Sequence, residues 1–228
     1  MKYENIVKGK FIERPNRFVA FVEIGGIRTM VHVKNTGRCK ELLVPGTEVY
    51  LQHSPSSKRK TDYSMVSVKK ENLFINIDSQ APNQVVYEAI RSGKIHEFNK
   101  PDLIKKEVPF GTSRFDLYYE SYPHRGFIEV KGVTLEENGI AMFPDAPTKR
   151  GTRHVLEMMD AVKAGYRGFV IFLVQMKGVH SFTPNKKTDP AFAEALKQAS
   201  NNNVTILAYD CNIAEDFMEI SESVSISL

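Results

Sequence analysis

The chain has 228 residues, with 31 Lys and Arg against 27 Asp and Glu, and this length allows one large or two small domains. Its two cysteines, Cys39 and Cys211, lie far apart without a CxxC partner, which excludes a disulfide framework and a cysteine-ligated zinc site and fits a reducing cytoplasm. The first ten residues lack an apolar signal segment, and the longest apolar run, residues 169–174, is too short to span a bilayer. We therefore expect a cytoplasmic protein without a membrane partner.

The net charge of +4 is unevenly distributed along the chain. Residues 1–80 carry 14 Lys or Arg against 8 Asp or Glu, which gives +6, and residues 81–228 carry 17 against 19, which gives −2. A basic region next to an acidic one is typical of a polyanion-binding module beside a carboxylate site, although solvated charge alone gives the same pattern. We predict two domains, residues 1–80 and 81–228.

Residues 1–80 have the pattern of an all-β module. Gly25-Gly26 joins the second and third strand-like runs as a tight hairpin, and an amphipathic piece at residues 39–44 predicts a short helix that ends at Pro45-Gly46. Five strands with a small helix after the third outline an OB-fold-like barrel, which often binds single-stranded nucleic acid or oligosaccharide. The predicted strands are residues 6–12, 18–24, 27–33, 48–52 and 63–68.

Basic residues of this module cluster near predicted strand ends and in the loop before Tyr63. Lys and Arg contact phosphate groups, so the cluster favours nucleic acid, whereas each residue alone is equally consistent with a solvated surface. Phe18 is expected to face the barrel core. The candidate nucleic-acid contacts are Arg17, Arg38, Lys58, Arg59 and Lys60.

Residues 81–228 alternate between helical and strand patterns and predict a mixed-sheet α/β domain. The apolar run at 169–174 is typical of a strand buried on both faces, and Thr148 is a predicted helix cap. The pattern is less informative after residue 213. The predicted order is helix 82–91, strands 104–110, 114–120 and 127–131, a helix after Thr148, strand 169–174, helix 190–201 and strand 204–208.

The strand pair around residue 120 carries the residues with the clearest chemistry. Alternate strand residues share a face, so Glu129 and Lys131 point the same way, and antiparallel pairing across a six-residue turn brings Asp116 alongside Glu129. Two carboxylates suit Mg²⁺ or Mn²⁺, and an adjacent ammonium suits phosphodiester hydrolysis. The alternative is a surface cross-strand ion pair.

Three further residues complete the candidate site. Glu88 flanks the apolar face of the first predicted helix, where it is either a third metal ligand or an ordinary helix-surface residue. Arg150 and His154 begin the helix after Thr148, where we expect them to reach a phosphate or the metal-bound water, although the helix pattern alone favours a structural role for His154.

The order of these residues resembles two known patterns. Asp116 followed by Glu129-Val-Lys131 resembles the PD-(D/E)xK nuclease motif, although no Pro precedes Asp116. Several motifs in fixed order, from about residue 10 to about residue 212, resemble the sugar fermentation stimulation protein A family: Asn35-Thr-Gly-Arg38, Glu41-Leu-Leu, Pro45-Gly46, Arg59-Lys-Thr61, Ser113-Arg-Phe-Asp116, Glu129-Val-Lys131, Val133-Thr-Leu135, Phe143-Pro-Asp-Ala146 and His154.

This resemblance implies an OB-like module followed by a PD-(D/E)xK, restriction-endonuclease-like domain, and it implies that Asp145, Thr148, Arg150 and His154 belong to the site. We expect a DNA-binding, Mg²⁺- or Mn²⁺-dependent nuclease. The main alternative is a DNA-binding regulator of sugar metabolism that keeps the fold without turnover, with a transcription factor or a second copy of the chain as candidate partners. A glycosidase would need sugar-stacking aromatic residues beside its two carboxylates, and the chain contains no Trp.

Overall fold

The computed structural model describes residues 1–35, 37, 39–55, 60–98 and 100–228, and its first part is a closed barrel. Strand β1 pairs with β2 and β4, β2 with β3, and β4 with β5, while the parallel pairing of β3 with β5 closes the barrel. This is the predicted OB-like connectivity. The strands are β1 (Ile6–Asn16), β2 (Val19–Ile24), β3 (Ile27–Val33), β4 (Glu48–His53), β5 (Tyr63–Lys70) and β6 (Leu73–Asn76).

Two expectations for the barrel were wrong. Residues 39–44 form turns, in which the N–H groups of Leu42 and Leu43 both donate to the Cys39 carbonyl, and not a helix. The segment is too short to pay the cost of helix nucleation, so burial of its two leucines fixes a turn instead. Phe18 does not face the core, because its side chain lies in the β1–β2 turn and is 52% exposed.

The second part is built on a mixed sheet in the order β15-β14-β12-β9-β8-β7. Strands β9, β12 and β14 are parallel neighbours, and β7, β8 and β15 run antiparallel to theirs. No helix among the described residues is long and apolar enough to cross a membrane. The elements are α1 (Ala81–Ser92), β7 (Leu103–Phe110), β8 (Ser113–Ser121), β9 (His124–Val133), β10 (Leu135–Glu137), β11 (Ile140–Phe143), α2 (Lys149–Lys163), β12 (Arg167–Val174), β13 (Ser181–Pro184), α3 (Pro190–Asn201), β14 (Val204–Ile213), β15 (Met218–Ser223) and β16 (Ser225–Ile226).

Helices cover both faces of this sheet, as the apolar run in β12 predicts. Phe169, Ile171 and Leu173 pack with α1, whereas Val170 and Phe172 pack on the opposite face with α2 and α3. The Thr148 hydroxyl caps α2 by accepting from the Gly151 N–H at 3.1 Å, as predicted. This packing fixes the first turns of α1 and α2 on opposite sides of β8 and β9.

The structure corrects the predicted hairpin and adds strands that sequence patterning missed. Ser121 pairs with His124, so only two residues, Tyr122 and Pro123, form the turn between β8 and β9 in place of the expected six. Strands β10, β11, β13 and β16 form a small separate sheet, and β15 and β16 belong to the tail. These strands have only two to six residues, which leaves little sequence pattern to detect.

The barrel and the α/β part share a buried hydrogen-bonded junction at Gln175, immediately after β12. The Gln175 Nε2 amide donates to the backbone and side-chain oxygens of Asn76 at 3.0 Å each, and to the Asp78 carbonyl at 3.3 Å. The Asn76 N–H donates back to the Gln175 carbonyl at 3.0 Å. One apolar cluster also contains residues of both parts. The barrel is therefore held in a fixed position next to the sheet.

We expect Gln175→Leu to lower the free energy of unfolding by about 1–3 kcal/mol, because it leaves buried acceptors of Asn76 and Asp78 without their donor. The measurement is urea denaturation. Gln198→Leu is the matched control, because among the described residues the Gln198 side-chain amide donates only to Glu194 on the exposed side of α3, and the Gln198 backbone carbonyl, which accepts from Asn202, is kept. It should change stability by less than about 0.5 kcal/mol. Equal transition midpoints for the two variants would contradict the structural role of Gln175.

Candidate metal centre

Asp116 lies where the backbone pairing of β8 with β9 ends, and its carboxylate accepts the next hydrogen bond from β9 in place of a backbone carbonyl. The last ladder pair is Leu117 with Ile128, and the next N–H, that of Val130, donates to Asp116 Oδ2 at 2.8 Å. The side-chain amide of Asn83, in the first turn of α1, donates to Oδ1 at 2.8 Å. These two bonds hold the carboxylate against β9 beside Glu129.

Glu129 is 2% exposed and uses one of its two carboxylate oxygens for contacts within the protein. Its Oε1 accepts from the Lys131 ammonium at 2.5 Å and lies 2.6 Å from His154 Nδ1. Its Oε2 is buried and has no hydrogen-bond partner in the described part of the chain. The structure therefore brings Asp116, Glu129, Lys131 and His154 together, and the Oε2 atom of Glu129 has no partner among the described residues.

The hydrogen bonds of His154 indicate which tautomer a neutral ring adopts. Arg150 Nε donates to His154 Nε2 at 3.3 Å, and because a guanidinium can only donate, Nε2 must accept and carry no proton. The proton of a neutral imidazole is then on Nδ1, from which it is donated to Glu129. Arg150 itself is exposed, and its terminal amino groups make no hydrogen bond within the described residues. His154 therefore orients Glu129, while Arg150 keeps donors facing solvent.

The two carboxylates are electrostatically different. Burial raises the pKa of Asp116 to about 6, and the Glu129 carboxylate adds to that increase. Burial also works to raise the pKa of Glu129, but Lys131 and His154 outweigh it and hold that pKa below its ordinary value. The pKa values of the two carboxyl groups are therefore shifted in opposite directions, because burial dominates at Asp116 whereas contacts with Lys131 and His154 outweigh burial at Glu129.

The donor set fits a hard divalent cation. No cluster of three or more His, Cys, Asp or Glu side chains with metal-binding geometry occurs among the described residues, so this centre offers two carboxylates. Mg²⁺ is commonly bound by one or two carboxylates and completes its shell with water and substrate phosphate. The unpartnered Glu129 Oε2 beside Asp116 is the atom such an ion would satisfy.

Helix α1 contributes Asn83 to the site, and the structure does not bring Glu88 there. The Glu88 carboxylate binds the Met1 amino group at 2.7 Å and the Gln84 amide at 2.6 Å, at a cleft that Glu219 also lines. Asn83 was missed because an amide has no metal-site signature in sequence. Its position in the first helical turn after the domain boundary was the available signal.

The resemblance implies that Asp145 and Thr148 belong to the site, and the structure places Asp145 at the junction with the barrel and Thr148 at the start of α2. Thr148 caps α2, and its N–H donates to Asp189 at 2.7 Å. Asp145 packs against the barrel loop at Gly37, where a Cβ would lie 2.6 Å from Asp145 Oδ2. Their membership of the site stays a prediction.

Of the candidate nucleic-acid contacts, Arg38, Lys58 and Arg59 lie outside the described residues. Arg17 and Lys60 are exposed, and the Arg17 guanidinium lies 5.8 Å from the centre of the exposed Phe18 ring. Beside Arg17, a groove of about 410 Å³ is lined by the basic side chains of Arg14 and Lys40 and by apolar residues such as Phe11. The barrel therefore presents cations and an aromatic ring on one accessible side.

Comparison with known sequences matches both parts of the chain. A family model described as the SfsA N-terminal OB domain matches residues 12–77, and one described as the sugar fermentation stimulation protein RE domain matches residues 80–217. A sugar fermentation stimulation protein homolog of Ruminiclostridium cellulolyticum is 53% identical over 228 residues, covering 100% of both chains. A homolog of Alkaliphilus oremlandii is 52% identical over 231 residues and covers 99% of this chain and 98% of its own.

A solved structure has the same architecture over nearly its whole length. SfsA of Pyrococcus furiosus, described in complex with Ca²⁺, matches with a TM-score of 0.91 and 29% identity, covering 100% of this chain and 98% of the other. The closed barrel, the mixed sheet and the two family models thus agree with one another and with the order of the sequence motifs. The chain belongs to the sugar fermentation stimulation protein family.

Proposed function

We propose that the protein is a divalent-metal-dependent nuclease that binds DNA and hydrolyses its phosphodiester bonds. The observation that carries the proposal is the unpartnered, buried Glu129 Oε2 beside Asp116, with Lys131 on the same side of β9. A buried anionic oxygen is costly unless a cation or donor completes it. The Pyrococcus furiosus relative is described in complex with Ca²⁺, which supports the binding of a hard divalent ion by a protein of this fold.

The candidate residues have different roles in the proposed hydrolysis. Asp116 and Glu129 would hold Mg²⁺ or Mn²⁺, which offsets negative charge on the reacting phosphoryl group. The water oxygen forms a bond to phosphorus, the ester P–O bond breaks, and the water protons go to the departing oxygen and to solvent. Because the Lys131 ammonium is already ion-paired with Glu129, it donates hydrogen bonds to the water or phosphoryl oxygens and does not accept a proton.

Two residues on α2 support this chemistry in different ways. His154 is 3% exposed and both ring nitrogens are bonded inside the protein, so it is a positioning residue for Glu129 rather than a phosphate contact. Arg150 is exposed, with its Nε tied to His154 and its terminal donors directed outward, so it suits the phosphate. Asn83 similarly positions Asp116 by donating a hydrogen bond to its Oδ1.

The barrel is proposed to bind the DNA. Its net charge of +6 over residues 1–80 attracts a polyanion, and the exposed Phe18 ring next to Arg17 suits stacking of an unpaired base. The groove beside Arg17 includes Gly37, which packs against Asp145 of the α/β part. DNA in this groove would thus approach the part of the molecule that carries the candidate metal centre.

We expect Arg17→Ala combined with Lys60→Ala to weaken DNA binding about tenfold and to reduce the slope of log affinity against log salt by about 2, one for each lost phosphate contact. Fluorescence anisotropy at several salt concentrations measures both quantities. Lys2→Ala combined with Lys8→Ala removes the same charge from cations paired with Asp216 and Glu48, and it should change neither quantity. Equal losses in both double variants would mean that net charge alone accounts for binding.

The nuclease proposal is tested by incubating the wild-type protein with single-stranded, duplex and branched DNA in Mg²⁺ or Mn²⁺, with EDTA as the control. Metal-dependent cleavage is the expected result. A second candidate function, a non-catalytic DNA-binding regulator of sugar metabolism genes, is favoured by the name of the relatives and by the two-carboxylate site. DNA binding without cleavage of any substrate would support the regulator.

A further inference from the structure

A second set of exposed cations lies beside the Tyr87 ring of α1. Lys106, on the edge strand β7, donates to Gln84 Oε1 at 2.5 Å and lies 4.3 Å from the centre of the Tyr87 ring. Arg91, one turn further along α1, donates to the Tyr87 hydroxyl at 3.4 Å and lies 5.7 Å from the same ring centre. We call Gln84, Tyr87, Arg91 and Lys106 the α1 patch.

The partners of these two cations leave their charge available. Neither Arg91 nor Lys106 forms an ion pair with a carboxylate in the described part of the chain, and a neutral ring and a neutral amide hold them. The Glu88 carboxylate interacts electrostatically with Lys106 but is itself paired with the Met1 amino group at 2.7 Å. Two other surface cations of the same domain, in contrast, are paired with carboxylates: Lys94 with Glu219 at 3.0 Å and Lys163 with Asp160 at 3.1 Å. An aromatic ring fixes a cation without cancelling its charge, which is a suitable arrangement for binding an external anion.

The α1 patch begins next to the candidate metal centre. Asn83, which bonds Asp116, directly precedes Gln84, and the patch then follows the helix to Arg91. Eight residues of helix cover about 12 Å, at about 1.5 Å per residue. That length matches roughly three to four phosphates of one strand, at about 3.4 Å per phosphate along a duplex axis.

We propose that the α1 patch binds the phosphate backbone of the nucleic-acid substrate next to the phosphate being cleaved. This inference rests on the proposed nuclease function and adds a second binding surface to the barrel groove. Arg91 and Lys106 contact successive phosphates, and Tyr87 keeps the two cations in place. The substrate is then held along α1 as well as at the barrel, so the enzyme acts within a strand that extends beyond the reacting phosphate.

The test is DNA binding measured by anisotropy in EDTA, where no cleavage occurs, across a range of salt concentrations. Arg91→Ala combined with Lys106→Ala should weaken binding about tenfold and reduce the salt slope by about 2. The control is Lys94→Ala combined with Lys163→Ala, which removes the same charge from carboxylate-paired sites and should bind as wild type does. Tyr87→Phe keeps the ring and should retain binding, whereas Tyr87→Leu should weaken it by about threefold or more.

The outcomes separate this inference from the nuclease proposal. If the wild-type protein binds DNA and the Arg91, Lys106 double variant keeps its affinity and salt slope, the α1 patch is not a DNA surface, whatever the cleavage assay shows. If the double variant loses binding while the wild-type protein cleaves no substrate, the α1 patch is supported as a DNA-binding surface and the nuclease proposal fails. Equal weakening by the control double variant would overturn the patch, because the loss would then come from net charge.

Discussion

Replacing both carboxylates of the candidate metal centre, Asp116→Asn with Glu129→Gln, is expected to lower the affinity for Mn²⁺ by more than about 100-fold. The two carboxylates supply the protein's negatively charged oxygen ligands there, and amide oxygens of the same size carry no charge to hold a divalent ion. The measurement is titration calorimetry with Mn²⁺. A second readout is the melting temperature, which should rise with Mn²⁺ for the wild-type protein and stay constant for the variant.

The control for this experiment is Glu194→Gln on α3, which removes an exposed carboxylate whose one hydrogen bond within the described part of the chain is to Gln198. It should bind Mn²⁺ as the wild-type protein does. Both carboxylates are partly desolvated in the folded protein, so removing their charges also removes a desolvation cost. The isosteric double variant is therefore expected to fold, and a circular dichroism spectrum checks this. Unaltered Mn²⁺ affinity in the folded double variant would mean that the ion binds elsewhere and that the site is assigned to the wrong residues.

The sequence was sufficient to predict which residues face one another across the hairpin, because strand alternation depends only on residue order, but it did not predict the two-residue turn. The observed pairing of Leu117 with Ile128 sets Asp116 opposite Glu129, and Lys131 contacts Glu129 as alternation requires. The same reasoning predicted β12, whose apolar residues divide between the two faces of the sheet. Strong periodicity and burial on both sides make such elements predictable.

Features that depend on distant contacts could not be predicted. Phe18 is apolar, and only the β1–β2 turn geometry places it outside the core. The amide of Asn83 reaches Asp116 across 33 residues, and Glu88 is drawn to the Met1 amino group, so neither role follows from helix periodicity. Tertiary packing decides which face of α1 meets the site, and the sequence pattern indicates only that one face is apolar.

A substitution of Lys131 separates DNA binding from chemistry. Its Nζ is bonded to Glu129 and its side chain is 14% exposed, so it adds little to the charge that attracts DNA from solution. We expect Lys131→Ala to leave DNA affinity in EDTA within about twofold of wild type, since many exposed Lys and Arg carry the electrostatic attraction. Cleavage should fall about 10²- to 10³-fold, because a fixed donor that acts on charge developing in the transition state is lost.

The cleavage assay uses Mg²⁺ or Mn²⁺ with single-stranded, duplex and branched DNA, and the wild-type and Lys131→Ala proteins are purified identically so that a contaminating nuclease appears in both. Lys163→Ala, at the far end of α2 from Arg150 and His154, is the matched lysine control and should cleave at the wild-type rate. Equal cleavage by the wild-type and Lys131→Ala proteins would mean that the activity does not come from this site. If Lys131→Ala lost binding and cleavage in the same proportion, Lys131 would be part of the DNA-binding surface, because a group that acts only in the transition state leaves ground-state affinity unchanged.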